Sequence, residues 1–445
     1  MRTLILSDLK NSFAAWSGLL LIAVAAGCIG EFAALLMFNA SRVGDEALSF
    51  MLSNAASMVI VFSGIAIIPT LVLASGLYVS EKRKTYALWR LGYLSEGRIR
   101  AIIFAQILLI SIAGAAAGIL IMGALFKSAF SFVFSSRIAL LNTSLAVSVR
   151  NAPMVCIAIQ ALFLIGSFSQ ICEASRLSPI EVLKGDQSSP RSNLGSIVMS
   201  GLFVLVLYIM FRIMKDSSFE VSSMIAMLIP IVVTLLLSVS CKKVLPLMLQ
   251  LWTMPIRGSL LILARNRALY DICRSVSTEA PIMILVGLAT GMYSALGVLE
   301  SYADVLDIGY GSGFEVDLTL SLLMFGGPMI LGIISAVVAT MVSSRTRGDE
   351  SSYLMLLGVS RTRIVLCVIC EALMHVINAL LCGLIGGVVS AALACAGMGM
   401  NSSFVLRVFP ALVIAGSGFA VVALSMLVPT FLSFRPSFLS RIDRL

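Results

Sequence analysis

The chain has 445 residues, 59% hydrophobic and only 12% charged, with a mean hydropathy of +1.05 and a formal net charge of +9. Soluble domains run at about 45–50% apolar and about 25% charged, so this composition excludes an ordinary soluble enzyme and points to an all-α integral membrane protein. The basic balance reads as the mark of cytoplasmic loops, with no nucleic-acid partner expected.

A bilayer core about 30 Å thick needs about 20 apolar helical residues to cross it. Ten stretches meet that need: 16–38, 57–79, 101–124, 152–172, 195–213, 223–241, 280–299, 318–342, 364–395 and 409–432. The first resembles a signal peptide at its start. Its apolar run continues to Phe38 and more spans follow, so a retained first span is predicted. Ahead of it, 2–13 interleaves basic and aliphatic residues, as does 259–275 ahead of the seventh span. Both read as helices lying in the inner interface, or as plain extensions of the spans they precede.

Topology follows from the positive charges. With both termini inside, 24 of the 31 Lys and Arg residues fall in internal segments. That bias predicts N-in, C-in with ten spans. The external loop after the seventh span carries five acids and no base.

Between the second and third spans lies "EKRKTYALWRLGYLSEGRIR" (81–100), with six basic residues among aliphatic and aromatic ones. Tyr86, Trp89 and Leu91 have near-helical spacing, with Arg90 expected to point away from them. Orientation alone would need Lys and Arg but no apolar patch. Tyr86, Ala87, Leu88, Trp89, Leu91 and Gly92 are therefore predicted to dock a partner, with anionic lipid or simple orientation as the alternatives.

The insert has a counterpart after the eighth span, "SSRTRGDESSYLMLLGVSRTRIV" (343–365). Here the corresponding residues are Tyr353, Leu354, Leu356, Leu357 and Gly358. "RIRAIIFAQILLISIAGAAAG" (98–118) aligns without gaps on "RIVLCVICEALMHVINALLCG" (363–383) at an offset of 265. Arg98 falls on Arg363, Gln106 on Glu371 and Gly118 on Gly383. Upstream, the two glycine-ended patches pair one residue out of step. Pro153 and Pro179 match Pro410 and Pro436. These matches predict two parallel four-helix repeats, 1–186 and 255–445, joined by a helix pair within 187–254.

Four polar residues stand inside spans: Glu31, Gln106, Glu371 and His375. Such groups are costly in a membrane and suggest function by default. Glu371 and His375, four apart, share a helix face. They are open to structural or coupling duty, with Glu371 pairing cytoplasmic basic residues, or to a proton relay. Glu31 either snorkels outward or lines a cleft. Gly114 and Gly118, like Gly287 and Gly291, have small-xxx-small packing spacing. Cys367 and Cys370 form a CxxC within an apolar helix and are read as packing. No metal site is predicted. The chain contains no G-x-x-x-x-G-K-[ST], so it has no phosphate-binding loop and no ATPase activity of its own.

The runs "ALWRLG…RIRAIIFAQ" and "LMLLGVSRTRIVLCVICEAL", with "EASRLSPIEVLKG" (173–185), resemble the FtsX-like permease domain across both repeats. The four-plus-two-plus-four layout is similar to single-chain ABC permeases of the bacitracin-export type. The resemblance implies a mechanotransmitting permease in the bacterial cytoplasmic membrane. It implies two copies of a separate ATP-binding subunit, carrying ATP and Mg, docked on the two cytoplasmic inserts. Export of an amphipathic peptide, antimicrobial or lipid-like substrate is the expected activity. The alternative is a non-transporting module that reports ATPase state to a further membrane enzyme or sensor-kinase partner. The chain departs from its pattern by having no large external domain after the first or seventh span.

Overall fold

The computed structural model describes residues 13–91, 94–135, 145–175, 194–255, 257–270, 272–305, 318–399 and 407–433. The described residues are helical, with turns and one short 3-10 turn, Val149–Asn151, between helices. The helices are α1 Phe13–Ala40, α2 Glu46–Leu91, α3 Glu96–Val133, α4 Ala152–Ser175, α5 Leu194–Asp216, α6 Phe219–Thr253, α7 Ser259–Tyr270, α8 Ile272–Val305, α9 Leu318–Leu356, α10 Arg361–Gly397 and α11 Phe409–Ser433. All ten expected spans lie inside helices. Among the described residues, nine helices are long and apolar enough to cross a membrane. The tenth expected span is α11, whose apolar part, Leu412–Val428, is shorter.

Helices dominate because an apolar medium offers backbone groups no partners outside the chain. Prolines lie inside several helices, among them Pro69, Pro230, Pro246, Pro281 and Pro328. At Pro230 the Thr234 hydroxyl donates to the carbonyls of Pro230 and Ile231, at 2.7 and 2.8 Å.

The chain packs into two compact units. One is Met1–Ser189 with Phe314–Val338; the other is Pro190–Gly313 with Ala339–Leu445. In this grouping α5 and α6 fall within the second unit, and α9 is divided between the two. The first part of α9 packs with the first unit, where Phe325 meets Phe62 and Leu323 and Leu331 join the α1–α4 core.

In the first unit α1 packs closely on α3, and α4 packs on α1, α2 and α3. The loop from α1 to α2 is five residues, Ser41 to Asp45, and the Asp45 carboxylate caps α2 by accepting from the Ala47 N–H at 3.0 Å. In the second unit the corresponding helices pair the same way: α8 with α10, α10 with α11, and α8 with α11. There α8 is central and buried on nearly every side, with α6 against both α8 and α10. α5 is peripheral. It lies on α6 through Ser200 and Ser240 and exposes most of its apolar side chains.

Both close helix pairs use small residues, which let backbones approach. A Cβ on Gly118 of α3 would fall on the Val24 carbonyl and lie 2.8 Å from the Cys28 nitrogen of α1. One on Gly383 of α10 would lie 2.9 Å from the Met283 carbonyl of α8.

The two polar inserts are not separate short helices. α2 runs unbroken for 46 residues and α9 for 39. At about 1.5 Å per residue, 46 residues extend about 70 Å, far beyond a hydrocarbon core. Residues 80–91 carry no proline or glycine, so nothing stops the helix where the apolar stretch ends. Each insert is therefore the end of a long rod followed by a tight corner.

Candidate functional site

The corners after α2 and α9 have one matching backbone hydrogen bond and a matching opening of the next helix. At the second, the Val359 N–H donates to the Leu354 carbonyl and the Gly358 N–H to the Met355 carbonyl, both at 3.0 Å. Gly358 has φ +84°, which a side chain would oppose. This is the Schellman helix stop, which needs a left-handed residue. At the first corner the Leu94 N–H donates to the Trp89 carbonyl at 3.2 Å. Ser95 and Ser360 then open α3 and α10 with matching extended backbones, φ −68° and −66°.

These bonds set the register. Leu94 to Trp89 matches Val359 to Leu354 at an offset of 265, the same offset that relates α3 to α10. Pairing Gly92 with Gly358 is therefore one residue off, and Tyr93 is the counterpart of Gly358. Gly92 and Tyr93 lie outside the described residues. A glycine attracts an alignment, but the hydrogen-bonded turn decides which position is equivalent.

In the corrected register the burial patterns agree. Leu88 and Leu91 are exposed, and so are their counterparts Tyr353 and Leu356; Trp89 and Leu354 between them are half-buried. Tyr86 and Ala87 face inward. The Tyr86 hydroxyl bonds that of Tyr78 at 3.2 Å and its ring meets Trp89 edge-on. So the outward apolar face is Leu88 and Leu91 in the first corner, and Tyr353, Leu356 and Leu357 in the second. Leu357 is the most open, at 80%. Arg90 bridges to Glu96 across the first corner at 2.5 Å.

The intramembrane polar residues separate into two settings. Glu371 and His375 belong to a buried cluster built by four helices of the second unit. His375 Nδ1 lies 2.5 Å from Glu279 Oε1 on α8. Asn378 Nδ2 donates to Glu279 Oε2 at 2.5 Å and to the Leu245 carbonyl of α6 at 2.9 Å. Asn378 Oδ1 accepts from Trp252 Nε1 at 3.2 Å. Glu371 Oε1 is 3.8 Å from His375 Nε2, and Glu371 Oε2 is 3.5 Å from Arg267 Nε of α7. Glu279, Glu371, His375 and Asn378 are all at most 3% exposed.

Glu31 on α1 and Gln106 on α3 do not join this cluster. Both are buried, Glu31 at 2% exposure and Gln106 at 0%, so Glu31 is not open to solvent. Its Oε2 has no hydrogen-bond partner among the described residues.

Sequence reasoning found Glu371 and His375 but missed Glu279, Asn378, Arg267 and Trp252. Asn378 carried a signal, since it continues the 371–375 face by one more turn. Glu279 lay at the very edge of its predicted span, where an acid reads as a loop residue. Among the described residues no group of His, Cys, Asp and Glu is arranged to hold a metal ion.

Compared with known proteins, the chain matches no family model and no curated protein.

Proposed function

We propose that the chain is the membrane permease subunit of a bacterial ATP-driven transporter of the FtsX-like type, set in the cytoplasmic membrane with ten spans and both termini inside. It has no ATPase of its own and takes work from two copies of a separate subunit that binds ATP and Mg. The observation that carries this reading is the pair of matched corners. Each ends a long second-span helix, presents outward apolar side chains at the same register, and leads directly into a third span. Two equivalent contacts suit two equivalent partners. A continuous helix on one side of each corner and a third span on the other suit the transfer of force into the membrane.

The work extrudes an amphipathic peptide, antimicrobial or lipid-like substrate presented from the surrounding lipid. The alternative function, relaying ATPase state to a membrane enzyme or sensor kinase without transport, uses the same corners.

The test is purification of the tagged chain from its own host. An ATP-binding protein at two copies per chain is expected. Recovery of the intact chain with no such protein would overturn the reading. Reconstituted ATPase stimulated by substrate, with movement of that substrate, supports transport. ATPase that responds only to another membrane protein supports the relay.

A further inference from the structure

The buried cluster in the second unit has no ionisable counterpart on the aligned helices of the first. At the offset of 265, Glu371, His375 and Asn378 fall on Gln106, Ile110 and Ala113. The seam glycines give the register for α1 and α8. Gly118 abuts the Val24 carbonyl and Gly383 the Met283 carbonyl, so Glu279 falls on Leu20. The helix packing is repeated between the units, whereas at these aligned positions only the second carries charges.

The cluster's geometry joins four helices through one point. Glu279 presents both carboxylate oxygens to α10, one to His375 and one to Asn378. Asn378 passes the connection to α6 through the Leu245 carbonyl and the Trp252 indole. Glu371 passes it to α7 through Arg267. Around these groups Ala264 and Ala268 of α7, Leu249 of α6, and Cys367 and Met374 of α10 form one apolar cluster. Cys241 of α6 and Cys382 of α10 are further titratable groups near Glu279 among the described residues. A buried ionised pair resists separation because either partner left alone keeps its desolvation cost.

We infer that Glu279, His375, Glu371, Asn378 and Arg267 form a polar lock that binds α6, α7, α8 and α10 into one mechanical block, while the matching positions among the first unit's described residues, Leu20, Gln106, Ile110 and Ala113, carry no charge. The two corners then lead into unequal machinery. α10 begins at Arg361, directly after the second corner, so a displacement there moves the whole block. A displacement at the first corner moves α3 against α1 and α4 through packing. The lock needs no partner protein, and its test is independent of any ATPase.

The lock assigns the shared proton to His375 Nδ1, which donates to an ionised, acceptor-only Glu279. His375 is the chain's single histidine, so the full chain grown with 15N-histidine and placed in phosphatidylcholine–phosphatidylglycerol nanodiscs gives one imidazole to read. Expected is a protonated Nδ1 with a through-space contact to a glutamate side chain, lost in Glu279→Gln. An unprotonated Nδ1 in the unaltered chain would overturn the lock. Hydrogen exchange supplies the mechanical readout. In Glu279→Gln and in Arg267→Leu, amides of α7 and the first half of α10 should exchange at least tenfold faster, with α3 unchanged. Unchanged α7 and α10 in both variants would also overturn it. If Glu279→Gln loosens every helix, Arg267→Leu and the unaltered chain's nitrogen signal still decide.

Discussion

Gly118 and Gly383 make matching helix contacts in the two units, each facing a spanning helix at a backbone carbonyl, Val24 of α1 in one and Met283 of α8 in the other. Their neighbours differ in how far they can yield. Gly118 meets the α1 backbone itself, while Gly383 also meets the Val286 side chain at 2.6 Å. Gly118→Ala should therefore destabilise more than Gly383→Ala. Overpacking of this kind costs about 1–3 kcal/mol, with Gly118→Ala at the upper end. Thermal unfolding of the two variants in nanodiscs checks the order; equal shifts would contradict it.

The corners yield a surface prediction. Leu88 is 59% and Leu357 80% exposed, so Leu88→Asp and Leu357→Asp should leave folding within about 0.5 kcal/mol of the parent. Each should weaken association with the proposed ATP-binding subunit, and the double variant should abolish it. Trp89→Asp is a poorer probe, because the Trp89 ring packs against Tyr86 and the unit core. Co-purification of the ATPase at parental yield with the double variant would contradict docking at the corners.

Asn39 ties the end of α1 to the chain ahead of α4. Its Nδ2 donates to the Leu35 carbonyl at 2.8 Å and to the Ala146 carbonyl at 3.0 Å, and its Oδ1 accepts from the Ala146 N–H at 2.9 Å. Asn39→Leu leaves the Ala146 groups without these partners, a loss of about 1–3 kcal/mol for a buried polar group. Asn39→Asp should also weaken the site, since a carboxylate cannot donate to the two carbonyls. Faster hydrogen exchange at Ala146 in both variants is the measurement.

Arg407 and Glu300 form a short pair, 2.6 Å apart, but their side chains are 37% and 42% exposed. Solvent-exposed pairs contribute about 0–1 kcal/mol. Glu300→Gln should thus shift unfolding far less than Asn39→Leu does. A larger loss from Glu300→Gln would show that this pair is more sheltered than its exposure indicates.

Composition and hydrophobic run length alone determined the all-helical character and where the long apolar helices fall, and the order of residues suggested a repeat. These properties are local, since a bilayer requires long apolar helices and a repeat is written in the order of residues. Glu371 and His375 were legible because their spacing on one helix places them together. Tertiary structure decided their partners, since Glu279 and Arg267 come from α8 and α7, about a hundred residues earlier in the chain. It likewise decided that α9 begins in the core of the first unit, and that Leu88 rather than Tyr86 faces outward. The corner register belongs to the same class. The glycine pairing is read along the chain, whereas equivalence is set by which carbonyl the Leu94 and Val359 N–H groups reach when each helix stops.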